Sequence, residues 1–150
     1  MRHPTIARPS ARFADVRAAA SIILLVLAGG GWYGGVALLT DPSGAALGLR
    51  RDMLPDWFLA DYRWAGLVLL LAFGVGALVA AGLVLGRRRT GWPAVIALGA
   101  VLLLWMAMQL AMIGLILPPM QLTFVVVGVA LLLLGLRGTG RAVAPTSRQV

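Results

Sequence analysis

Four long runs without a single charge constrain what this chain can fold into. Ala18 to Leu39, Ala65 to Leu85, Pro93 to Leu117 and Met120 to Leu136 contain no Asp, Glu, Lys, Arg or His. A helix needs about 20 mostly apolar residues to cross a hydrocarbon core of about 30 Å. The first three runs satisfy this. The fourth, at 1.5 Å per residue, covers roughly 25 Å and must stand upright or thin the bilayer around it. A helix that is apolar on every side for this long belongs in lipid rather than on a soluble surface. An outer-membrane barrel would instead alternate apolar and polar residues in segments of about 10. Stretches such as GLVLLLAFGVGALVAAGLVLG do not alternate. The expectation is an all-α membrane protein, an antiparallel bundle of four transmembrane helices spanning 18–39, 65–85, 93–117 and 120–136.

The remaining residues exclude whole classes of chemistry. Hydrophobic residues make up 61% of the chain and charged ones 12%, where a soluble domain carries about a quarter charged. The absence of Cys removes disulfides, thiolate metal sites and thiol nucleophiles. The single His, His3, lies in the N-terminal tail, so no His-based zinc site or Ser-His-Asp triad is available. Thr40, Ser21, Ser43 and Thr123 have no His or Lys near them in sequence to act as a base. The chain is therefore read as a non-enzyme, with no catalytic, metal or cofactor-binding residues and no cofactor.

Arginine sets the expected threading. All 13 basic residues are Arg. Ten fall in the N-tail, the Gly86–Trp92 linker and the C-tail, against three (Arg50, Arg51 and Arg63) between the first two spans. The positive-inside rule then places both termini and Arg87–Arg89 in the cytoplasm, in a multi-pass plasma-membrane protein. The pI near 11.8 reports this asymmetry and attraction to anionic lipid. It does not report a nucleic-acid partner, because the tails lack a folded basic face with interleaved aromatics. Residues 1–17 and 137–150 are expected to be disordered basic tails, for want of apolar surface to bury. The first span is too long for a signal-peptide core and has no A-x-A site, so it reads as a retained anchor. Trp64 and Trp92 sit at span ends, where amphipathic rings favour the headgroup zone.

The one long connection, 40–63, is the candidate interaction loop. It carries four of the five acids, Asp41, Asp52, Asp56 and Asp61, together with Trp57 and Tyr62. Asp41-Pro42-Ser43-Gly44 is a turn signal. Pro55 to Ala60 reads as a helical turn that lays Trp57, Phe58 and Leu59 on the membrane surface. Asp61 is placed to cap the second span. The acids either pair with Arg50, Arg51 and Arg63 or gather round a hard cation, although EF-hand spacing is absent.

The pattern GGVALLTDPSGAALGL, followed by Leu54, Pro55, Phe58, Asp61 and Tyr62 and by a second span led by Gly66, resembles a set of small, uncharacterised four-helix membrane proteins of actinobacteria. Trp105 and Gln109, with Gln121 after the turn, extend the resemblance, which covers about residues 34 to 121. It implies the same four-span layout and brings no assigned activity.

Within the spans the candidate packing residues are Gly30 and Gly34, Gly31 and Gly35, and Gly82 and Gly86, each pair at G-x-x-x-G spacing. Such pairs let backbones approach closely where lipid supplies no hydrophobic force between helices. They serve packing within one chain or a homodimer. Gln109 is the one strongly polar group deep in a span and should face the bundle, as an interhelical clasp or a substrate contact. Pro118-Pro119 marks a tight turn between spans three and four. The leading expectation is a non-enzymatic accessory or interaction subunit, partnered by lipid and by another membrane protein or a second copy. The alternative is a small transporter or channel-like subunit with a path near Gln109. No span carries an ionisable group, which argues against a proton-coupled antiporter. A lipid enzyme using the loop acids ranks third.

Overall fold

A computed structural model describes residues 9–54, 61–114 and 118–142. Among these the chain is helical, with four helices long and apolar enough to cross a membrane. Helix α1 runs Pro9–Thr40, α2 Arg63–Leu85, α3 Gly91–Ile113 and α4 Pro118–Ala142. Two short 3₁₀ turns, Ala45–Leu47 and Arg51–Met53, lie between α1 and α2. Large aliphatic side chains point outward from the bundle: Val26 is 72% exposed, Leu104 71% and Val126 66%. Water would penalise each of these by roughly 1.5–3 kcal/mol relative to burial, and acyl chains would not.

The helices pack through two main pairs, α1 with α2 and α3 with α4. Small residues set the register. Gly31 lies against the backbone of Phe73 and Gly74, Gly35 against Leu70, and Gly66 against Leu38. In the other pair Gly99 meets Gly128 and Leu131, Gly135 meets Ile96, and Gly138 meets the ring of Trp92. The core between the pairs is filled by Ala20, Leu24, Ala77, Val95, Leu102 and Leu131, all essentially inaccessible.

Several boundaries differ from the sequence expectation, each for a local reason. Helix α3 ends at Ile113 rather than 117, because Gly114 takes φ 69° and its N–H bonds back to the Leu110 carbonyl, 3.1 Å away. With ψ −163° this is an extended positive-φ conformation that only a residue without a Cβ adopts readily, and it turns the chain out of the helix. Pro118 and Pro119 open α4 instead of forming a turn before it. A proline in the first helical turn removes only an N–H that has no intrahelical partner. The basic segments expected to be disordered are helical from Pro9 and as far as Ala142. At the N-terminal end the Ala- and Arg-rich stretch continues a helix that the first span has already nucleated. At the C-terminal end Gly138 is pinned beneath Trp92, so tertiary contact overrides poor propensity. Trp92 is accordingly buried, whereas Trp64 is half exposed.

Helix α2 contains a π-helical stretch, Leu69–Val75, a widening that nothing in the residue pattern announces. Such wide turns occur often at functional sites. This one faces Gly31 and Gly35, and it lends Leu69 and Phe73 to the chamber described next.

Candidate functional site: a roofed chamber

The connection between α1 and α2 is tied down at both ends by its own polar groups. Helix α1 stops at Thr40, and Asp41 folds the next residues around its carboxylate. One oxygen accepts the Ser43 hydroxyl at 2.6 Å and the Ser43 N–H at 3.2 Å, and the other accepts the Ala46 N–H at 3.0 Å. Gly44 completes the turn with φ 82° and is buried against Leu49 and the Tyr62 ring. Tyr62 then closes the loop. Its N–H donates to the Pro42 carbonyl at 3.0 Å, and its hydroxyl donates to the Arg50 carbonyl at 2.8 Å.

The charges of the loop are arranged locally. Arg50 pairs with Asp52 through two hydrogen bonds of 3.0 and 2.6 Å, both side chains largely exposed. Exposed pairs of this kind contribute little to stability. The Asp61 carboxylate accepts the Arg63 N–H at 3.0 Å, at the start of α2, and lies 3.7 Å from the Arg63 guanidinium. Asp41 is served by Ser43 and backbone rather than by an arginine. Among the described residues no cluster of acids has the makings of a metal site. Asp56 and Trp57, and the helical turn expected over 55–60, lie outside the described residues.

Under this loop lies a chamber of about 340 Å³. Its walls are Leu27, Gly30, Gly34 and Leu38 of α1, Leu69 and Phe73 of α2, the 102–112 face of α3, and the start of α4. Leu47, Leu49, Leu54 and Tyr62 cover it from the loop. Ligand pockets begin at roughly this size.

Three residues that line it each carry a polar atom buried without a hydrogen-bond partner in the structure: Trp105 Nε1, Gln109 Oε1 and Gln121 Oε1. Each such orphan costs roughly 1–3 kcal/mol. Gln109 therefore faces the bundle, but its amide oxygen makes no clasp to another helix. The clasp belongs to Gln121, whose Nε2 donates to the Gly114 carbonyl at 3.0 Å and ties the end of α3 to the start of α4. The Trp105 indole is held against Phe73 in a tilted pair, centroids 6.4 Å apart.

The G-x-x-x-G glycines divide by surroundings. Gly31 and Gly35 make backbone-to-backbone contact with α2, Gly34 has ordinary contact with Leu69, and Gly30 and Gly82 face open space. Gly86 meets only its own local chain, chiefly the Gly82 carbonyl. The glycines that α3 and α4 use, Gly99, Gly128, Gly135 and Gly138, escape a search for G-x-x-x-G; the first three stand in the sequence as small residues within long apolar runs, and Gly138 lies beyond Arg137 in the segment read as a tail.

Two ionisable groups in the roof are shifted, with opposite consequences. The Ser43 hydroxyl, then the Ala46 and Ser43 N–H groups, hold the Asp41 carboxyl below its ordinary 3.8. Burial, then the Asp52 charge, pushes the Tyr62 phenol above 10.0. A depressed carboxylate stabilises the fold above its unfolded pKa and loses that contribution as pH falls through the folded value. A raised phenol does so below its unfolded pKa and loses it as pH rises through the folded value. Hydrogen exchange of the Ser43–Ala46 amides, corrected for intrinsic rate, should thus be flat between about pH 5 and about pH 9 and rise on both sides. Asp41→Asn should abolish the acid limb alone.

No protein-family model, no curated protein and no solved structure matches this chain. Its function therefore has to be argued from the roof, the chamber and the four apolar helices.

Proposed function

We propose that the chain is a non-enzymatic accessory subunit of the plasma membrane, an antiparallel four-span bundle with both termini in the cytoplasm and the 40–63 loop presented outward. The register in which residues 31, 35 and 38 meet 73, 70 and 66 supports the antiparallel layout, and the ten-to-three arginine asymmetry supports the orientation. The observation that carries the accessory role is the construction of the loop. Asp41, Gly44 and Tyr62 spend their interactions on holding one conformation, while Arg50 and Asp52 stay at the surface. A preordered charged rim contributes specificity and register to an encounter with a partner.

The Cys-free chain makes the test direct. Ala46→Cys, at an exposed loop position, should react with a membrane-impermeant maleimide on intact cells. A photoactivatable crosslinker on that thiol should give a discrete adduct with another membrane protein or with a second copy. No reaction on intact cells would overturn the orientation. Reaction without any adduct would overturn the accessory role.

The chamber favours a second reading, in which the chain is a small transporter or channel-like subunit with a path past Gln109. Flux in proteoliposomes that Gln109→Leu abolishes would select it, and unchanged flux would dismiss it.

A further inference from the structure

We infer that the chamber holds one acyl tail of a bilayer lipid, which enters sideways between α1 and α4. The inference rests on the four-span bundle proposed above and not on the accessory role. The opening is read from exposure. Among the described lining residues only Gly30 and Tyr33 of α1 and Met120 of α4 are exposed. These neighbouring helices therefore leave a gap there, and a Cβ on Gly30 would meet nothing within 4 Å. All three residues lie in the spans, so the gap faces acyl chains, while Leu47, Leu49, Leu54 and Tyr62 cover the chamber on the loop side.

Size and wall chemistry select a single tail. The walls follow α1 from Leu27 to Leu38, roughly 16 Å at 1.5 Å per residue. A volume of about 340 Å³ spread over that length gives a slender slot rather than a round pocket. An engineered apolar cavity of about 150 Å³ takes a benzene, so this one takes roughly a dozen carbons. The half-buried liners Leu69 of α2, Met112 of α3 and Phe124 of α4 are apolar, and such walls take hydrocarbon in preference to water. Among the described lining residues Asp61 alone is charged. It stands at the loop end, where its carboxylate accepts the Arg63 N–H and lies beside the Arg63 guanidinium. Its charge thus sits at the level of the headgroups, at the end of the slot rather than along it. The unpartnered atoms of Trp105, Gln109 and Gln121 are buried away from the slot and select nothing.

The test places the full chain in phosphatidylcholine nanodiscs doped with a phosphatidylcholine whose acyl tail carries a mid-chain diazirine. Photolabelling is expected at Leu69, Met112 and Phe124 inside the gap, as well as at Leu104 and Val126 on the outer faces. Gly30→Leu puts a side chain into the gap without touching another helix at its Cβ. It should lower labelling of the three inner residues roughly tenfold, the worth of about two displaced methylenes, and leave Leu104 and Val126 unchanged. Met120→Trp narrows the gap from α4 at an exposed position. It should act alike, and it carries the same test if Gly30→Leu folds poorly. Gly82→Leu, equally free of contacts but outside the chamber, should leave inner labelling as it was.

Labelling of Leu104 and Val126 with none at the inner residues would overturn the inference and leave the four-span reading standing. No labelling at Leu104 and Val126 would overturn both. Inner labelling that neither Gly30→Leu nor Met120→Trp lowers would place the entrance elsewhere and overturn the sideways route. Inner labelling by a water-borne decanoate that carries the diazirine, with none by the phospholipid, would assign the chamber to a soluble amphiphile and overturn the bilayer lipid.

Discussion

Gly31→Val should separate the first two helices and cost the fold about 3 kcal/mol or more, the upper end of overpacking penalties. A Cβ at position 31 falls among Gly74 N, Phe73 C and Leu69 O, the last at 2.8 Å. All three are backbone atoms, and α2 cannot yield there by rotating a side chain. The wide π-helical turn at Leu69–Val75 is where that backbone comes closest to α1. The overlap therefore forces either the turn to rewind or α1 to retreat. Gly35→Val should behave alike, because its Cβ would lie 2.8 Å from Leu70 N. Gly30→Ala and Gly82→Ala are the controls. Nothing lies within 4 Å of either new Cβ, and exchanging helical Gly for Ala gains roughly 0.5–1 kcal/mol. Thermal unfolding in one detergent, followed by helical circular dichroism, ranks the four. If Gly30→Ala falls and Gly31→Val does not, the register of α1 on α2 is wrong.

The same pair of glycines shows what hydropathy can and cannot report. The runs 30/34 and 31/35 are equivalent as strings, and only the rotation of α1 against α2 decides which one meets backbone. Hydropathy reads the solvent preference of a stretch, which is why the four spans were legible from their missing charges. It does not read where hydrogen bonding stops. Gly114, Leu115, Ile116 and Leu117 continue the apolar run of the third span, yet α3 ends at Ile113. The roof was partly legible, because Asp41-Pro42-Ser43-Gly44 carries its turn chemistry in its residue types, and Asp61 does sit against the first N–H of α2. The chamber was not. A cavity is what four helices fail to fill, and no window of sequence contains it. Its polar atoms were only half visible: Gln109 stood out as an amide inside a span, whereas Gln121 and Trp105 gained their meaning from the Gly114 carbonyl and Phe73, residues on other elements or beyond the turn.

Gly44→Val should open the roof of that chamber while leaving the four helices in place. Position 44 has φ 82°, a left-handed conformation that costs a residue with a Cβ roughly 1–2 kcal/mol. The new Cβ would also sit 2.8 Å from Leu49 Cβ and 2.9 Å from the Tyr62 ring, adding an overpacking cost of about 1–3 kcal/mol. Together these give about 3 kcal/mol, or roughly a 100-fold rise in the open population at about 1.4 kcal/mol per tenfold. Tyr62→Phe tests the other end of the loop by deleting the hydroxyl that donates to the Arg50 carbonyl. Its expected cost is about 1 kcal/mol, a rise of roughly fivefold. Trypsin reads both, because Arg50 and Arg51 are exposed side chains on a backbone that the closed loop holds rigid. Cleavage that needs local opening follows the population of the open form. Arg87–Arg89, exposed between α2 and α3, supplies an internal control whose cleavage rate should not change in nanodiscs, where the protease reaches both faces. Equal cleavage at Arg50–Arg51 in the parent chain and in Gly44→Val would mean that the loop is already open. Faster cleavage there, with Arg87–Arg89 unchanged, would localise the effect of one left-handed glycine to the roof and separate it from the stability of the bundle.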